Sequence, residues 1–158
     1  MNAAPRKDSG FAYSRAHFEE LVDQALEHAR KLGATDAGAE ASEGCGLSVS
    51  VRKGELENVE RNRDKSLGVS IYLGQRRGNA SSSDFSPAAL RQTVEAALAI
   101  ARHTAQDDCA GLPEAELLAR ATPDLDLFHP WALSTEEAIE LATRCTSHRA
   151  ASGPCPRR

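Results

Sequence analysis

Between residues 18 and 101 the apolar residues change period, from helical spacing to strict alternation and back, and this limits the folds open to the chain. Phe18, Leu21, Val22, Ala25, Leu26, Ala29 and Leu32 recur three and four apart and share one helix face. Ser14 stands where a helix N-cap is wanted, and Gly33 where a left-handed residue ends the helix. The period then becomes two. Ala37, Ala39 and Ala41 alternate with small or polar residues, as do Leu47, Val49 and Val51, and then Leu67, Val69 and Ile71. Residues 56–61 read as a strand with weaker patterning, and 77–82 as an edge strand of small polar residues. Turn signals at Glu43-Gly44, Lys53-Gly54, Asn62-Arg63-Asp64 and Gly74-Gln75 divide this region into five expected strands. Links this short favour hairpins, because parallel neighbours need long crossovers.

Ser86-Pro87 opens a second helix, with Leu90, Val94, Ala97, Leu98 and Ala101 as its apolar stripe. Residues 106–133 read mostly as loop, broken by Pro113, Pro123 and Pro130, with a short helical turn at 114–119. Ser134-Thr135-Glu136-Glu137 has the form of a capping box and starts a helix expected to reach about Cys145. The expected fold class is therefore α+β. It is a largely antiparallel β-meander packed against two long helices, in the order α-β-β-β-β-β-α, followed by loop and a C-terminal helix. Residues 1–13 are expected to be a flexible tail and 14–145 one α+β domain. Residues 146–158 carry no apolar period and are basic and rich in Ser, Gly and Pro. They read as a disordered or aberrant end, produced by truncation or a frame shift, with a natural flexible tail as the other reading.

Composition bounds the function classes. The chain has 158 residues, enough for one ordinary domain, with 41% apolar and 27% charged residues, a soluble globular balance. A net charge of −4 counts against a sequence-independent grip on nucleic acid. No apolar run approaches the ~20 residues of a membrane span, and the polar residues 1–8 are not a secretory signal. Cys45, Cys109, Cys145 and Cys155 are widely spaced, so reduced thiols in the cytoplasm are the expectation.

Candidate chemistry is sparse. None of His17, His28, His103, His129 and His148 precedes a glutamate, so there is no H-E-x-x-H. His17 and His28 are eleven residues apart, ~16 Å along a helix, too far to share one zinc ion with bonds of ~2 Å. His129, in Phe128-His129-Pro130-Trp131, suits packing better than ligation. Ser81-Ser82-Ser83-Asp84 lies outside any G-x-S-x-G elbow and reads as a strand running into a capped helix. Cys45, between Gly44 and Gly46, reads as a hairpin-turn residue, since no partner that would activate its thiol is identifiable. Gly44-x-Gly46 does not extend to G-x-G-x-x-G, and 74–78 lacks the Lys-Ser/Thr of a phosphate loop. Arg61, Arg63 and Lys65 near one expected turn, with Arg76 and Arg77 near the next, would make a small basic patch if both turns reached one end of the sheet. Solvated hairpin tips are the plainer reading, and Tyr72 alone is near for base stacking.

Several segments in order resemble the TldD/PmbA metallopeptidase family. Residues 47–60, Leu-Ser-Val-Ser-Val-Arg-Lys-Gly-Glu-Leu-Glu-Asn-Val-Glu, resemble its first hairpin. Residues 67–72 and 78–84 resemble the next two strands, and 86–90, Ser-Pro-Ala-Ala-Leu, the helix that follows. Residues 107–113 and 123–128 are similar to the PmbA (TldE) branch rather than the TldD branch. The resemblance runs from about Phe18 to Arg144 and fails at the last dozen residues. It implies the N-terminal domain of one subunit of a heterodimeric peptidase that processes unfolded peptides, a family linked to microcin maturation and antitoxin degradation. The zinc it implies is held by the TldD-type partner, on a histidine–glutamate helix beyond this domain. The PmbA-type subunit completes the dimer and its cavity. No catalytic, cofactor-binding or metal-binding residue of the family matches a position here, so the chain is not expected to cut peptides alone. A nonfunctional truncated or frame-shifted fragment and a small nucleic-acid-binding module are the alternatives. The 77–82 edge is a place where an extended peptide or partner strand could pair.

Overall fold

The structure is a computed structural model that describes residues 11–119, 121 and 123–151, with residues 147–151 described by backbone alone. Helix α1 spans Arg15–Lys31, and the Ser14 hydroxyl accepts from His17 N at 3.2 Å, satisfying one free N-terminal donor. Its end is closed by Gly33 at φ 89°, with Gly33 N donating to Arg30 O and Ala34 N to Ala29 O, both at 3.1 Å. Leu21, Ala25 and Ala29 form its buried face. Helix α2, Pro87–His103, is capped by Ser86, whose hydroxyl accepts from Ala89 N. All five apolar residues expected on its stripe are buried, together with Thr93, whose hydroxyl donates to Ala89 O.

Between the helices run three strands, not five: β1 Asp36–Arg52, β2 Glu55–Leu73 and β3 Arg76–Ser82, in sheet order β1-β2-β3. The expected turns at Glu43-Gly44 and Asn62-Arg63-Asp64 are continuous strand. The reason lies in parity. Ala37, Ala39, Ala41, Leu47, Val49 and Val51 all occupy odd positions, so the alternation never slips and a single strand can carry it. Gly46 lies against Asn62, whose Oδ1 would sit 2.6 Å from a Cβ there, so this glycine makes room across the ladder rather than a turn. The true turn is Lys53-Gly54, both at positive φ (54° and 86°), the left-handed pair that matches strand twist in a two-residue hairpin. The second turn, at Gly74 (φ 57°), sets the antiparallel β2–β3 register from Leu73↔Arg76 to Leu67↔Ser82.

Inward-facing Leu67, Val69 and Ile71 of β2 pack with Leu21, Ala25 and Ala29 of α1, Leu90, Val94, Ala97, Leu98 and Ala101 of α2, and Phe85. Leu67, Ile71 and Val94 are fully buried, each removal from water contributing about 2 kcal/mol. The α+β class is as expected from the sequence.

Residues 104–134 carry no helix or strand among those described, and the expected helical turn at 114–119 is a turn closed by Leu117 N donating to Glu114 O. Helix α3 spans Thr135–Ala151. Its capping box is formed: Ser134 N donates to Glu137 Oε2 at 2.8 Å and Glu137 N to Ser134 Oγ at 3.1 Å. The helix continues beyond Cys145. Thr143 and Thr146 place their hydroxyls on the carbonyls of Ile139 and Ala142, which lets polar residues sit in the helix where the apolar stripe has ended. Residues 152–158, and residues 1–10 of the expected N-terminal tail, lie outside the described residues. Residues 12 and 13 are held, since Ala12 N and Tyr13 N donate to the Glu43 carboxylate at 3.0 and 3.2 Å.

The chain divides into two compact units. Among the described residues, one holds 11–44 and 64–124, and with them the whole core just described; the other holds Cys45–Arg63 and 125–151.

Candidate interaction face

In the core-bearing unit the sheet turns its second face away from the helices, and the register decides what that face displays. Ser70 lies opposite Asn79, and Gly68 opposite Ser81. With Gly38 and Glu40 of β1 and Arg77 of β3 they line an open trough of about 570 Å³. Its floor is low because Gly38 and Gly68 carry no side chain; Gly68 has only the Glu40 side chain near it. The polar groups are tied together. Ser70 Oγ donates to Asn79 Oδ1 at 2.7 Å, Arg77 Nε donates to the same oxygen at 3.0 Å, and the guanidinium lies 5.8 Å from the Tyr72 ring centre. The result is a hydrogen-bonded polar surface whose lining carries one cation, Arg77, and one carboxylate, Glu40. β3 forms one edge of the sheet, as the 77–82 pattern implies.

The histidines are dispersed. His17 stacks on Tyr13 with ring centres 5.0 Å apart, and His28 Nε2 lies 3.5 Å from Glu95 Oε1. His103 lies in the last turn of α2 and His129 in the long loop, both exposed. His148 falls among the residues described by backbone alone. Among the described residues no group of three or more His, Cys, Asp or Glu is placed to hold a metal ion. Cys45 is an exposed strand residue of β1 rather than a turn residue, because β1 runs straight through it; Cys109 and Cys145 are also free and exposed.

The serine run does what local chemistry favours. Ser82 Oγ accepts from Asp84 N, and the Asp84 carboxylate accepts from Ser86 N at 2.8 Å and from Ser86 Oγ at 3.0 Å. Those two bonds, backbone first, hold the Asp84 carboxyl below the usual aspartate range.

The basic residues do not gather at sheet ends. Arg61, Arg63 and Lys65 are mid-strand residues of β2, since no turn interrupts it there; only Arg76 and Arg77 adjoin a turn. Lys65 is half-buried. Its ammonium lies 4.8 Å from the Phe85 ring centre and 5.2 Å from that of Tyr13, and donates to Tyr13 Oη at 3.0 Å. Tyr13, His17, Phe18 and Phe85 make a cluster around it that the sequence reading did not identify. The signal was available: Lys65 shares the odd parity of Leu67, Val69 and Ile71, the face that packs on the helices. Among the described residues no helix is long and apolar enough to cross a membrane.

Residues 39–101 match the family described as PmbA/TldA metallopeptidase domain 1. Among curated proteins, the chain is 54% identical over 132 residues to Metalloprotease PmbA of Escherichia coli O157:H7, an alignment covering 82% of this chain and 29% of that protein. It is 48% identical over 128 residues to the Metalloprotease PmbA homolog of Haemophilus influenzae, covering 78% of this chain and 28% of that protein. Among solved structures, a modulator-of-DNA-gyrase protein from Bacteroides thetaiotaomicron superposes with a TM-score of 0.72 at 20% identity, over 82% of this chain and 30% of that one. TldE from Thermococcus kodakarensis does so with a TM-score of 0.57 at 14% identity, over 85% and 29%. These superpositions show a shared fold. The chain spans less than a third of the length of the curated relatives it matches.

Proposed function

The chain belongs to the PmbA/TldA metallopeptidase family, and from that membership we propose that it is the first domain of a PmbA (TldE)-type subunit, a scaffold that helps complete a two-subunit TldD–TldE peptidase in the cytoplasm. The observation that carries this reading is the 54% identity to a protein named Metalloprotease PmbA, sustained over 132 residues. In this reading zinc and the catalytic groups reside in the TldD-type partner, the substrates are unfolded peptides, and this domain contributes surface rather than chemistry. The hydrogen-bonded polar surface on the sheet and the edge strand β3 are of the right kind, since an edge can add an extended strand. The nucleic-acid reading loses support, because Lys65 is taken up by aromatic rings and Arg61 and Arg63 do not sit at a turn.

The test is co-expression with an affinity-tagged TldD-type subunit. The chain should be retained with the tagged subunit, and the purified chain alone should leave an unfolded peptide intact with zinc present. Zinc-dependent, chelator-sensitive hydrolysis by the chain alone would show that it carries the chemistry itself. Failure to be retained would remove the scaffold role.

A further inference from the structure

The open face of the sheet puts two opposite charges into one trough and pairs neither of them. Glu40 of β1 and Arg77 of β3 line the same space of about 570 Å³, on either side of β2, and both belong to the core-bearing unit. Among the described residues, Glu40 has no hydrogen-bond or ion-pair partner. Arg77 faces no carboxylate, yet it does not swing freely. Its Nε donates to Asn79 Oδ1 at 3.0 Å, its Nη2 to Ser70 Oγ at 3.4 Å, and the guanidinium lies 5.8 Å from the Tyr72 ring centre. The remaining N–H donors of the fork are unused. Lone charges at the ends of mobile side chains are ordinary on a surface, but a guanidinium held by neutral groups beside an unpaired carboxylate is an arrangement that lacks its counter-ions.

The spacing indicates what could join them. The Glu40 side chain crosses Gly68, with its Cγ 3.7 Å from where a Cβ would stand, and Arg77 reaches Ser70, two residues further along β2. Two residues of strand rise about 7 Å, which sets the span between the two charged groups. A ligand that bridges them carries both charges in the reverse order, an ammonium for Glu40 and a carboxylate for Arg77. An extended dipeptide spans up to about 7 Å, whereas a free amino acid reaches half as far and a tetrapeptide twice as far. Gly68 has no side chain, so a peptide backbone can lie low on β2 between the two charges. Asn79 accepts from Ser70 and Arg77 through Oδ1, which leaves its Nδ2 donors for the carbonyl of the linking peptide. We infer that the trough is a binding site for a zwitterionic dipeptide, held by its two termini. The trough is open above, so recognition is of the ends and of the length, with little demand on the side chains. A dianion such as phosphate would meet Glu40 as well as Arg77 and is disfavoured. The inference needs neither zinc nor a second subunit, and it rests on the peptidase reading only for the source of such peptides.

The test is a titration of glycylglycine into the 15N-labelled chain at low salt, followed by amide shifts. Shifts should move at residues 38–40, 68–70 and 77–81 and saturate in the roughly millimolar range, since exposed charges contribute little singly. N-acetylglycylglycine, which lacks the ammonium, and glycylglycinamide, which lacks the carboxylate, should each bind severalfold more weakly. Tetraglycine should bind more weakly too. Glu40→Gln should weaken glycylglycine severalfold and abolish the difference that acetylation makes; Arg77→Gln should do the same for amidation. A sheet merely disturbed by the substitutions would not produce that crossed pattern. Both side chains are exposed, so the melting temperature should not change, and the blocked peptides test the inference on the unaltered chain in any case. Equal affinity for glycylglycine and both blocked peptides overturns it, as does the absence of saturable shifts in the trough. Tighter binding of inorganic phosphate at the same amides would make this an anion site and overturn it. Tighter binding of tetraglycine, with shifts running along β3, would show strand addition at the edge and overturn it as well. Failure of the chain to be retained by a TldD-type subunit, with dipeptide binding intact, would count against the proposed function and leave this site standing.

Discussion

Gly78 is where β3 passes beneath α2, and no side chain can be inserted there. A Cβ at this position would overlap the Ala97 carbonyl oxygen and approach Ala101 N to 2.5 Å, and both are helix backbone that cannot swing aside. Gly78→Ala should therefore cost about 3 kcal/mol, at the upper end of the usual overpacking range, read as a lower midpoint in urea with the slope unchanged. A loss under about 0.5 kcal/mol would mean that β3 and α2 do not pack this closely. Asp84 makes a different kind of prediction. Its carboxyl titrates below the ordinary 3.8 because Ser86 donates to the charged form through its backbone N–H and its hydroxyl. A depressed folded-state pKa stabilises the fold above the unfolded value, and that contribution disappears as pH falls through the lowered value. Melting temperature should thus drop on acidification below about pH 4. Asp84→Asn should make that limb shallower while lowering stability at neutral pH. An unchanged acid limb in the variant would remove Asp84 from the account.

At the scale of elements, the starts of the helices and the turns at Lys53-Gly54 and Gly74-Gln75 could be read from the sequence, and the continuity of the strands between those turns could not. Ser14, Ser86 and Ser134 all cap the helices they precede, because capping is settled by a few neighbouring atoms that sequence spacing already specifies. The strands misled at two points because glycine, asparagine and aspartate at Glu43-Gly44 and Asn62-Arg63-Asp64 are turn residues by local preference, whereas the ladder and the unbroken parity are long-range. The same cause hid the Lys65 cluster: Tyr13, Phe85 and Lys65 meet only through the tertiary fold. The basic patch failed with the turn it depended on. The polar surface was out of reach for a related reason, since Ser70 and Asn79 become neighbours only once the β2–β3 register is fixed. Continuous strands make a measurable claim. Backbone 13C shifts at residues 43–46 and 61–64 should be those of extended strand, without the left-handed signature expected at Lys53 and Gly54. Turn-like shifts at both Glu43-Gly44 and Asn62-Arg63-Asp64 would restore the five-strand reading.

The two units of the whole molecule differ in how much apolar surface each puts away. Every residue of the core cluster, from Leu21 to Ala101, belongs to the unit built on residues 11–44 and 64–124. Among the described residues, the other unit contributes only Ala138 to the buried apolar set, and it leaves Leu56, Val59, Leu125, Leu127, Trp131 and Leu141 exposed. Its strand segments form a two-stranded ribbon, an arrangement that is marginal in water without a third strand or a packed helix. Local stability follows buried apolar contact, so the two units should open at different free energies rather than together. Native-state hydrogen exchange is the direct measurement. Amides of α1, α2 and residues 67–73 should exchange through global unfolding. Those of residues 47–61 and α3 should exchange faster, by on the order of a hundredfold, with little dependence on denaturant. If the same amides slowed to the global rate once the chain was joined to the remainder of a full-length relative, the thin unit would be one whose core is completed from outside. Equal protection of both units in the chain alone would mean that the ribbon and α3 draw their stability from contacts within this chain.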